Sequence, residues 1–389
     1  MNILFVHNEY KQSGGEDTVL QSEISLLRQK KHQINFVNQQ NNHIQSFLDK
    51  IKVFRRVTYS HKYRRWMNLQ INYFKPDIIH IHNFFPLLTP AIYDACIGAG
   101  IPVVQTLHNY RTICPGALLM CDGKICEKCV TGSPYQAILH RCYRNSIPGS
   151  WAVARMVAYH RKRQTWQNKI DCFIALTRFA KDKFIEAGLP AEKIIVKPNF
   201  CEVPYLENKK FKKRKGALFV GRLSREKGIR TMLNAWHNLD IPLHIAGGDH
   251  LFDNYKEKSN SFIKFLGHIN SEKVAKEMIN AAFLVMPSEW YEGFPMVLVE
   301  AFAHGLPVIA SNLGGMAEIV QDGITGLHFE PGNSKDLAEK VLWLHKHPDE
   351  CQQMAENARK EYEKKYTPEK NYEILMKIYH DVINKYKKQ

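Results

Sequence analysis

The chain has 389 residues, a net charge of +16 and a hydrophobic content of 44%. This length suits two domains of a little under 200 residues each, and the ordinary composition excludes a disordered, collagenous or disulfide-scaffold protein. The first residues form an apolar stretch too short and too uncharged for a signal peptide, and no run of about 18 apolar residues predicts a membrane span, so we expect a cytoplasmic protein.

The first half of the chain alternates short apolar runs with amphipathic stretches, the pattern of a parallel sheet flanked by helices. The predicted strands cover residues 3–7, 34–37, 78–82, 103–107 and 172–176. After the first strand, Gly14 and Gly15 would let the backbone approach a phosphate at the start of a helix, and a plain turn is the alternative. We predict one domain over residues 1–200, with a cysteine-rich insert at about 110–145.

The positive charge is concentrated in this half, where 27 Lys and Arg face 13 Asp and Glu. The basic residues include Arg55, Arg56, Lys62, Arg64, Arg65, Arg141, Arg144, Arg155, Arg161, Lys162, Arg163 and Lys169, and the aromatic residues among them are Tyr59, Tyr63, Trp66, Tyr143, Trp151, Tyr159 and Trp166. Such a mixture suits an anionic membrane surface, where cations meet headgroups and rings lie at the interface. We expect peripheral attachment to the inner face of the cytoplasmic membrane. A solvated basic surface and a nucleic-acid patch are the alternatives.

Five of the nine cysteines crowd one stretch of the insert. In a cytosolic protein such crowding favours metal binding or reduced thiols over disulfides. Cys126 and Cys129 have the spacing that lets two thiolates reach one zinc ion, and Cys114 with Cys142 or Cys121 would complete a tetrahedron. The sequence therefore suggests a structural zinc, with free thiols in an ordered loop as the alternative.

A second series of strands is predicted in the other half of the chain. These strands cover residues 217–220, 243–246, 263–266, 283–286 and 308–310. Residues 197–199 and the basic run 209–215 break the periodicity and predict a linker, so the second domain is expected over 201–367. Because open α/β sheets bind ligands at the carboxyl ends of their strands, we expect a site in a cleft between the two sheets. Residues 368–389 have helical spacing.

The loop after the first strand of the second series carries Gly221, Arg222, Lys227 and Gly228. A guanidinium fork and an ammonium group five residues apart offer two cations to two phosphates. Since the loop lies at the carboxyl end of a first strand, it is better suited to a diphosphate group than to the alternative, a solvated loop.

The segment EGFPMVLVE, residues 292–300, follows the strand 283–286. Pro295 suits the first turn of a helix, and the free amides of that turn would hold a phosphate or sugar oxygen. Glu292 would lie in the loop before the helix and Glu300 about two turns into it, so that the two carboxylates span a nucleotide sugar.

These motifs resemble those of the retaining glycosyltransferases of family 4, whose fold is called GT-B. The resemblance rests on the two glutamates just described, on Gly221-Arg222 with Lys227-Gly228, on Asn312-Leu313-Gly314-Gly315 with Glu318, and on Asp322-Gly323 with Gly326. It implies two Rossmann-like domains that face a cleft, and a C-terminal helix that crosses back to the N-terminal domain. The first domain would bind the acceptor and the second the nucleotide sugar.

The resemblance also implies roles for individual residues. Glu292 would approach the transferred sugar and Glu300 would hold the ribose hydroxyls. Arg222 and Lys227 would grip the diphosphate, and His108 would lie beside the sugar. The remaining donor contacts would come from Gly14, Gly15, Gly267, His268, Ile269, Gly293, Phe294, Pro295, Met296 and Val297. The chain has no Asp-x-Asp motif, so we expect cations and helix amides, with no catalytic metal, to neutralise the leaving group.

The predicted reaction is transfer of a sugar, with retention at the anomeric carbon, from a UDP- or GDP-sugar. The expected acceptor is a saccharide or a polyprenyl- or other lipid-linked molecule, in the synthesis of a surface polysaccharide or glycolipid. We expect no nucleic-acid partner. A nucleotide-sugar 2-epimerase and an inactive accessory protein of the same fold are the alternatives, and a covalent role for Glu292 remains open.

Overall fold

The computed structural model describes residues 1–11, 14–202, 214–248 and 260–388, with the exception of the side chain of His43. It divides into two compact units. The first comprises Met1–Asp122, Cys126–Asn199 and Pro368–Gln389, and the second comprises Gly123–Ile125 and Phe200–Thr367. Most of the basic run expected in the linker lies outside the described residues.

Apolar runs form the strands and amphipathic stretches form the helices. The strands are β1 (Asn2–Glu9), β2 (Gln33–Gln40), β3 (Ile78–Ile81), β4 (Val103–Leu107), β5 (Met120–Cys121), β6 (Lys124–Ile125), β7 (Cys172–Ala175), β8 (Ile194–Val196), β9 (Ala217–Val220), β10 (Leu243–Ala246), β11 (Ile263–Gly267), β12 (Phe283–Met286), β13 (Val308–Ser311) and β14 (Gly326–Phe329). The helices are α1 (Gly15–Gln29), α2 (Phe47–Arg56), α3 (His61–Phe74), α4 (Ala91–Gly98), α5 (Lys128–Thr131), α6 (Gln136–Leu139), α7 (Ile147–Lys162), α8 (Thr165–Asn168), α9 (Arg178–Glu186), α10 (Ile229–Ala235), α11 (Ser271–Asn280), α12 (Met296–Ala303), α13 (Gly314–Ile319), α14 (Ser334–Lys346), α15 (Pro348–Lys365) and α16 (Pro368–Lys387).

In the described part of the first unit, six strands form one parallel sheet in the order β2-β1-β3-β4-β7-β8. Ile3 of β1 pairs with Ile34 on one side and with Ile78 on the other. β3, β4 and β7 are buried along their whole length, as parallel strands covered on both faces are. The chain runs from β1 to β2 on one side of β1 and then crosses back to β3 on its other side. Because of this reversal, the expected ligand position lies at the carboxyl ends of β1 and β3.

In the described part of the second unit, six strands form a parallel sheet in the order β11-β10-β9-β12-β13-β14. Numbered within the unit, this is the 3-2-1-4-5-6 order of dinucleotide-binding folds. Apolar side chains pack against the sheet, with Trp236 and Phe283 in one buried cluster and Leu298 and Phe302 in another. The two Rossmann-like sheets confirm the predicted α/β fold class, and the switch point of this sheet lies between β9 and β12.

The C-terminal helix α16 belongs to the first unit. Its buried face includes Leu375 and Tyr379, and the hydroxyl of Tyr379 lies 2.7 Å from Nδ1 of His80 in β3. Asn371 Nδ2 donates to the carbonyl oxygen of Pro198 at 3.3 Å. The helix therefore returns to the N-terminal domain, as the resemblance implies. No helix in the described ranges combines the length and apolarity that crossing a bilayer requires.

The apolar runs do not identify β8, β14 or the ribbon of β5 and β6. β5 and β6 have two residues each and β8 has three, which is too short for a pattern to stand out. β14 begins with a glycine and contains His328, so its four residues do not form an apolar run. The ten predicted strands all appear, with ends that differ by at most three residues.

Candidate functional site

The loop after β9 is held against the segment after β12 by a glycine. Gly228 has a φ of +70°, and a Cβ at this position would lie 1.8 Å from the carbonyl oxygen of Pro287. Only glycine fits such a backbone conformation at that distance. The backbone amide of Glu289 also donates to the carbonyl oxygen of Glu226 at 2.9 Å. The two segments at the switch point are thereby joined, and this contact carries Lys227 towards Glu292.

Lys227 and Glu292 form an ion pair at the carboxyl ends of β9 and β12. Oε1 of Glu292 accepts hydrogen bonds from Lys227 Nζ at 2.6 Å, Ser288 Oγ at 2.7 Å and Trp290 Nε1 at 2.9 Å. The side chains of Lys227 and Glu292 are 15% and 7% exposed. Among the described residues all three bonds go to Oε1, which leaves Oε2 to accept from a substrate hydroxyl. The structure thus brings two predicted residues together, and adds Ser288 and Trp290, which the sequence analysis does not identify.

Arg222 lies at the surface of the same loop. Its side chain is 64% exposed, and its Nη2 lies 3.4 Å from Oε1 of Glu226. Glu226 also accepts from Ser224 Oγ at 2.6 Å. An exposed ion pair of this kind contributes little to stability, so the guanidinium can leave Glu226 for a polyanionic ligand at small cost.

The helix that follows Glu292 starts later than the sequence suggests. Pro295 occupies the N-cap position with ψ of 104°, and the helix begins at Met296, so the proline precedes the first turn. Glu300 is therefore a little over one turn into α12, not two. Burial raises the pKa of its half-buried carboxyl above the usual range. The residues around the start of α12 are partly buried, namely Gly293, Phe294, Met296 and Val297. The backbone amides of a first helical turn have no partner within the helix, so they can donate to a ligand.

The residues expected to contact the base lie at the carboxyl end of an edge strand. Gly267 ends β11 with a φ of +68°, and its carbonyl oxygen accepts from the amide of Gly247 at 2.8 Å. His268 is exposed and Ile269 is half-buried. Since β11 lies two strands from β9 in the sheet, this end is about 10 Å from the loop that carries Lys227.

His108 follows β4 and belongs to a buried network in the first unit. Its Nε2 lies 2.8 Å from Nδ1 of His82, which follows β3, and the two rings stack with centroids 5.0 Å apart. His82 Nε2 lies 3.5 Å from Oε2 of Glu23, whose Oε1 accepts from Lys197 Nζ at 2.5 Å. Burial, followed by the electrostatic effect of the neighbouring His7 and Lys197, lowers the pKa of His108 to about 3. At neutral pH His108 is therefore an uncharged hydrogen-bonding group.

The residues that hold His108 are missed by the sequence analysis. His82 ends the predicted strand 78–82, and His108 directly follows the next predicted strand, 103–107. These two positions at neighbouring strand ends are what the sequence offers to predict a contact between the two histidines. The donor atoms of Glu23, His80 and His82 lie within 4.8 Å of one another. Both nitrogens of His80 are hydrogen-bonded, to Tyr379 at 2.7 Å and to Thr106 at 2.8 Å. His80 is thus engaged by its own hydrogen bonds, while among the described residues His82 Nε2 and Glu23 Oε2 face each other without a hydrogen bond, 3.5 Å apart.

The glycine loop after β1 carries acidic side chains at the predicted phosphate position. Gly14 is the N-cap of α1, which begins at Gly15, and its amide donates to Oδ2 of Asp17 at 2.7 Å. Asn83 Nδ2 donates to Oε1 of Glu16 at 3.3 Å, and burial raises the pKa of Glu16 to about 7. Glu16 and Asp17 thus occupy the first turn, where they oppose an anion. The phosphate contact of the two glycines stays a prediction, and residues 12 and 13 of this loop lie outside the described residues.

The cysteines of the insert are close to one another but more loosely placed than a zinc site requires. Burial, followed by neighbouring thiols, raises the pKa of Cys129 to about 12 and that of Cys142 to about 11. Of the described residues in the insert, the group with all ligand atoms within 4.8 Å of one another is Cys121, Asp122 and His140. The predicted set of Cys114, Cys126, Cys129 and Cys142 is not drawn together to that spacing, so the zinc ion stays a prediction.

Three residues of the expected basic and aromatic face are bonded to other parts of the fold or buried in it. The guanidinium of Arg161 donates to the carbonyl oxygens of Gly132 and Cys129, each at 2.8 Å, Lys169 is paired with Asp94, and Trp166 is 2% exposed. These three residues hold the fold of the insert and of the segment after α7, so they are unavailable to a membrane. The cations of the expected basic face that are exposed are Arg55, Arg56, Lys62, Arg64, Arg65, Arg141, Arg144, Lys162 and Arg163.

Two parallel Rossmann-like sheets, with a cationic loop and a carboxylate at the switch point of the second, are the features of a GT-B glycosyltransferase. A family model described as Glycosyltransferase Family 4 matches residues 14–203, and one described as Glycosyl transferases group 1 matches residues 206–361. The uncharacterized glycosyltransferase MJ1178 of Methanocaldococcus jannaschii is 30% identical over 316 residues, which are 79% of this chain and 76% of that protein. The chain belongs to glycosyltransferase family 4.

Other relatives agree with this class. The lipopolysaccharide 1,2-N-acetylglucosaminetransferase of Salmonella typhimurium is 31% identical over 228 residues, which are 51% of this chain and 60% of that enzyme. Among solved structures, Anabaena HepE in complex with UDP superimposes with a TM-score of 0.70 at 17% identity, over 97% of this chain and 99% of that one. HepE in complex with UDP-glucose gives a TM-score of 0.66 at 17% identity over the whole of both chains. At this identity the likeness to HepE supports the GT-B fold alone.

Proposed function

We propose that the protein transfers a sugar from a nucleoside-diphosphate donor to a saccharide or lipid-linked acceptor, with retention of the anomeric configuration and without a catalytic metal. The observation that carries this proposal is the ion pair of Lys227 and Glu292 at the switch point of the second sheet, with Arg222 on the same loop. Within the described residues this is where cations, a carboxylate and free helix amides occur at adjacent strand ends.

The chemistry follows from where charge develops. As the nucleoside diphosphate leaves, negative charge grows on its β-phosphate, and the ammonium of Lys227 with the guanidinium of Arg222 would stabilise it. The acceptor hydroxyl would attack from the same face and pass its proton to the leaving phosphate oxygen. Glu300, about one turn into α12, would accept hydrogen bonds from the ribose hydroxyls.

Glu292 is better suited to an electrostatic role than to forming a glycosyl ester. Three donors, one of them an ammonium, already bind its Oε1, and such bonds stabilise the carboxylate and lower its nucleophilicity. A retaining glycosidase, by contrast, places a free carboxylate against the anomeric carbon. We infer that Glu292 orients Lys227 and the donor sugar and favours positive charge on the sugar ring.

The first unit would provide the acceptor site. His108, neutral and held by His82, would accept from or donate to a sugar hydroxyl beside the reacting carbon. The name of the Salmonella relative favours a surface polysaccharide or glycolipid as the product, and the complex of HepE with UDP-glucose makes UDP-glucose the first donor to test. We infer a place at the inner face of the cytoplasmic membrane from the exposed cations of the first unit.

The experiment is a measurement of UDP release from UDP-glucose, and of GDP release from GDP-mannose, with and without a panel of saccharide and lipid-linked acceptors. Transfer predicts release that depends on an acceptor, together with a product that has the same anomeric configuration as the donor by NMR. Release of nucleotide without any acceptor, accompanied by an epimerised sugar, would favour the 2-epimerase. Absence of release from every donor, with correct folding, would favour the accessory protein.

A further inference from the structure

The first unit contains a groove whose lining residues have no role in the reaction proposed above. Its volume is about 620 Å³, within the range of sites that bury a drug-sized ligand. One wall is α2, through Ile51, Val53 and Phe54, and the opposite wall is α7, through Ala152 and Val153. The groove is therefore a largely hydrocarbon surface formed by two helices.

Helix α2 gives this surface an unusual character. The structure describes all ten of its residues, and none of them is buried, although the helix carries Phe47, Ile51, Val53 and Phe54. An amphipathic helix normally buries its apolar face in the protein core. Here the apolar side chains of α2 border open space, which is the arrangement expected of a helix that covers an apolar ligand.

The charge of the groove is of one sign. Among the described residues that line it, the charged side chains are Lys11, Lys50 and Arg144, and none is acidic. Lys11 Nζ donates to the carbonyl oxygen of Ile44 at 3.1 Å, which fixes one cation at the rim. Apolar walls with a cationic rim complement a molecule with a hydrocarbon chain and an anionic head.

The groove adjoins the residue expected beside the reacting sugar. Phe85 and Tyr143 line it, and the guanidinium of Arg111 lies over both rings, 4.4 Å and 5.3 Å from their centroids. Arg111 is three residues beyond His108, and both line a smaller pocket at the carboxyl end of β4. One layer of side chains therefore separates the hydrocarbon groove from the pocket of His108.

We propose that the groove between α2 and α7 binds the hydrocarbon chain of a lipid-linked acceptor, with its diphosphate at Lys50, Arg144 and Lys11 and its sugar directed towards His108. This inference rests on the proposed function and names the acceptor class. Each methylene buried in such a groove strengthens binding about four-fold. Affinity for the acceptor should therefore rise steeply with the length of its chain.

The experiment measures binding to the whole protein by calorimetry, with farnesyl diphosphate, geranyl diphosphate and inorganic pyrophosphate as probes. We expect farnesyl diphosphate to bind at least ten-fold more tightly than geranyl diphosphate, and pyrophosphate to bind most weakly. Val53→Asp should weaken farnesyl diphosphate binding at least ten-fold, and Lys50→Glu should do so without altering the apolar wall. Leu48→Asp is the matched control, because Leu48 is on α2, is 65% exposed and lies outside the groove lining; it should bind as wild type does.

Equal binding of the three probes, or an equal loss in Leu48→Asp and Val53→Asp, would overturn the proposal. Thermal unfolding of each variant identifies a failure to fold, in which case Lys50→Glu supplies the test. Glu292→Gln separates this inference from the proposed function, since it should lose nucleotide release and still bind farnesyl diphosphate as wild type does. Chain-length-dependent binding by a wild-type protein that releases no nucleotide would retain the groove and reject the transfer reaction.

Discussion

Replacing Lys227 with methionine tests whether the ion pair at the switch point has both a structural and a chemical role. The substitution keeps an unbranched side chain that is one atom shorter and removes its charge. Breaking a buried ion pair by removing one partner costs about 3–5 kcal/mol. Ser288 and Trp290 still donate to Glu292, so we expect a cost at or just below the lower end of that range, about 2–3 kcal/mol. The rate of transfer should fall about 10²–10³-fold, the usual effect of removing one group that stabilises developing negative charge.

Arg222→Met is the matched control, since it removes the second cation of the same loop from an exposed position. It should lower the transfer rate while changing the free energy of unfolding by less than about 1 kcal/mol. The double variant of Lys227→Met with Glu292→Gln should be less destabilised than the sum of the single variants by about 1–3 kcal/mol, because the uncompensated charge is gone.

The measurements are urea unfolding and the initial rate of nucleotide release for wild type, Lys227→Met, Arg222→Met, Glu292→Gln and the double variant. A second domain of fewer than 200 residues that loses 2–3 kcal/mol should show a fall in Tm of roughly 5–10 °C. If Lys227→Met unfolds within about 0.5 kcal/mol of wild type, or if the two single effects simply add, the ion pair does not organise this site. A normal transfer rate in Lys227→Met would remove the lysine from the chemistry.

Four further predictions follow from the site and the surface. Burial lowers the pKa of His108 to about 3 and that of His160 to about 4, so below pH 6.5 the unfolded chain binds protons before the folded protein does. The free energy of unfolding should therefore fall by up to about 1.4 kcal/mol per histidine for each pH unit between 6.5 and the folded pKa. A free energy of urea unfolding that does not change from pH 7.5 to pH 5 would contradict this. Glu16, with its pKa raised to about 7 by burial, should give the pH dependence of kcat/KM a step near pH 7 that is absent in Glu16→Gln; persistence of the step in that variant would assign it to another group. Charge reversal of Arg55 and Arg56, exposed at the end of α2, should weaken co-sedimentation with phosphatidylglycerol vesicles, and unchanged co-sedimentation would count against membrane attachment through this helix. Metal analysis of the purified protein should find one zinc ion per chain if the cysteine insert binds it, and a substoichiometric amount with no change of Tm in chelator would dismiss that prediction.

Local patterns were sufficient to predict all but one strand of each described six-stranded sheet, the exceptions being β8 and β14. Strands such as β4 and β9 are continuous apolar runs because parallel strands are buried on both faces. The motif glutamates and the cations at 222 and 227 were found because their spacing follows predicted strand ends. Sequence spacing shows the order in which charged residues follow one another along the chain. It does not predict how far a side chain is exposed, as the exposed Arg222 illustrates.

Local sequence patterns could not predict contacts between segments that are far apart in the chain. The bond between Lys227 and Glu292 joins residues 65 positions apart, and it depends on the approach of Gly228 to Pro287. The network of His82, Glu23 and Lys197 likewise joins three separate elements. For Arg161 the sequence-based prediction was wrong. As a cation in a basic run it was expected to face solvent or a membrane, but its guanidinium donates to backbone carbonyl oxygens.

Because α16 packs on the first unit, that unit is assembled from two stretches of chain separated by the whole of the second. During translation, residues 1–199 leave the ribosome well before the helix that covers them, and at about 5–20 residues per second the interval is roughly 10–40 s. Through that interval the surface that later contacts Tyr379 is open to solvent and to chaperones. Completion of the first unit is therefore a late event in synthesis, and it follows the emergence of the second unit.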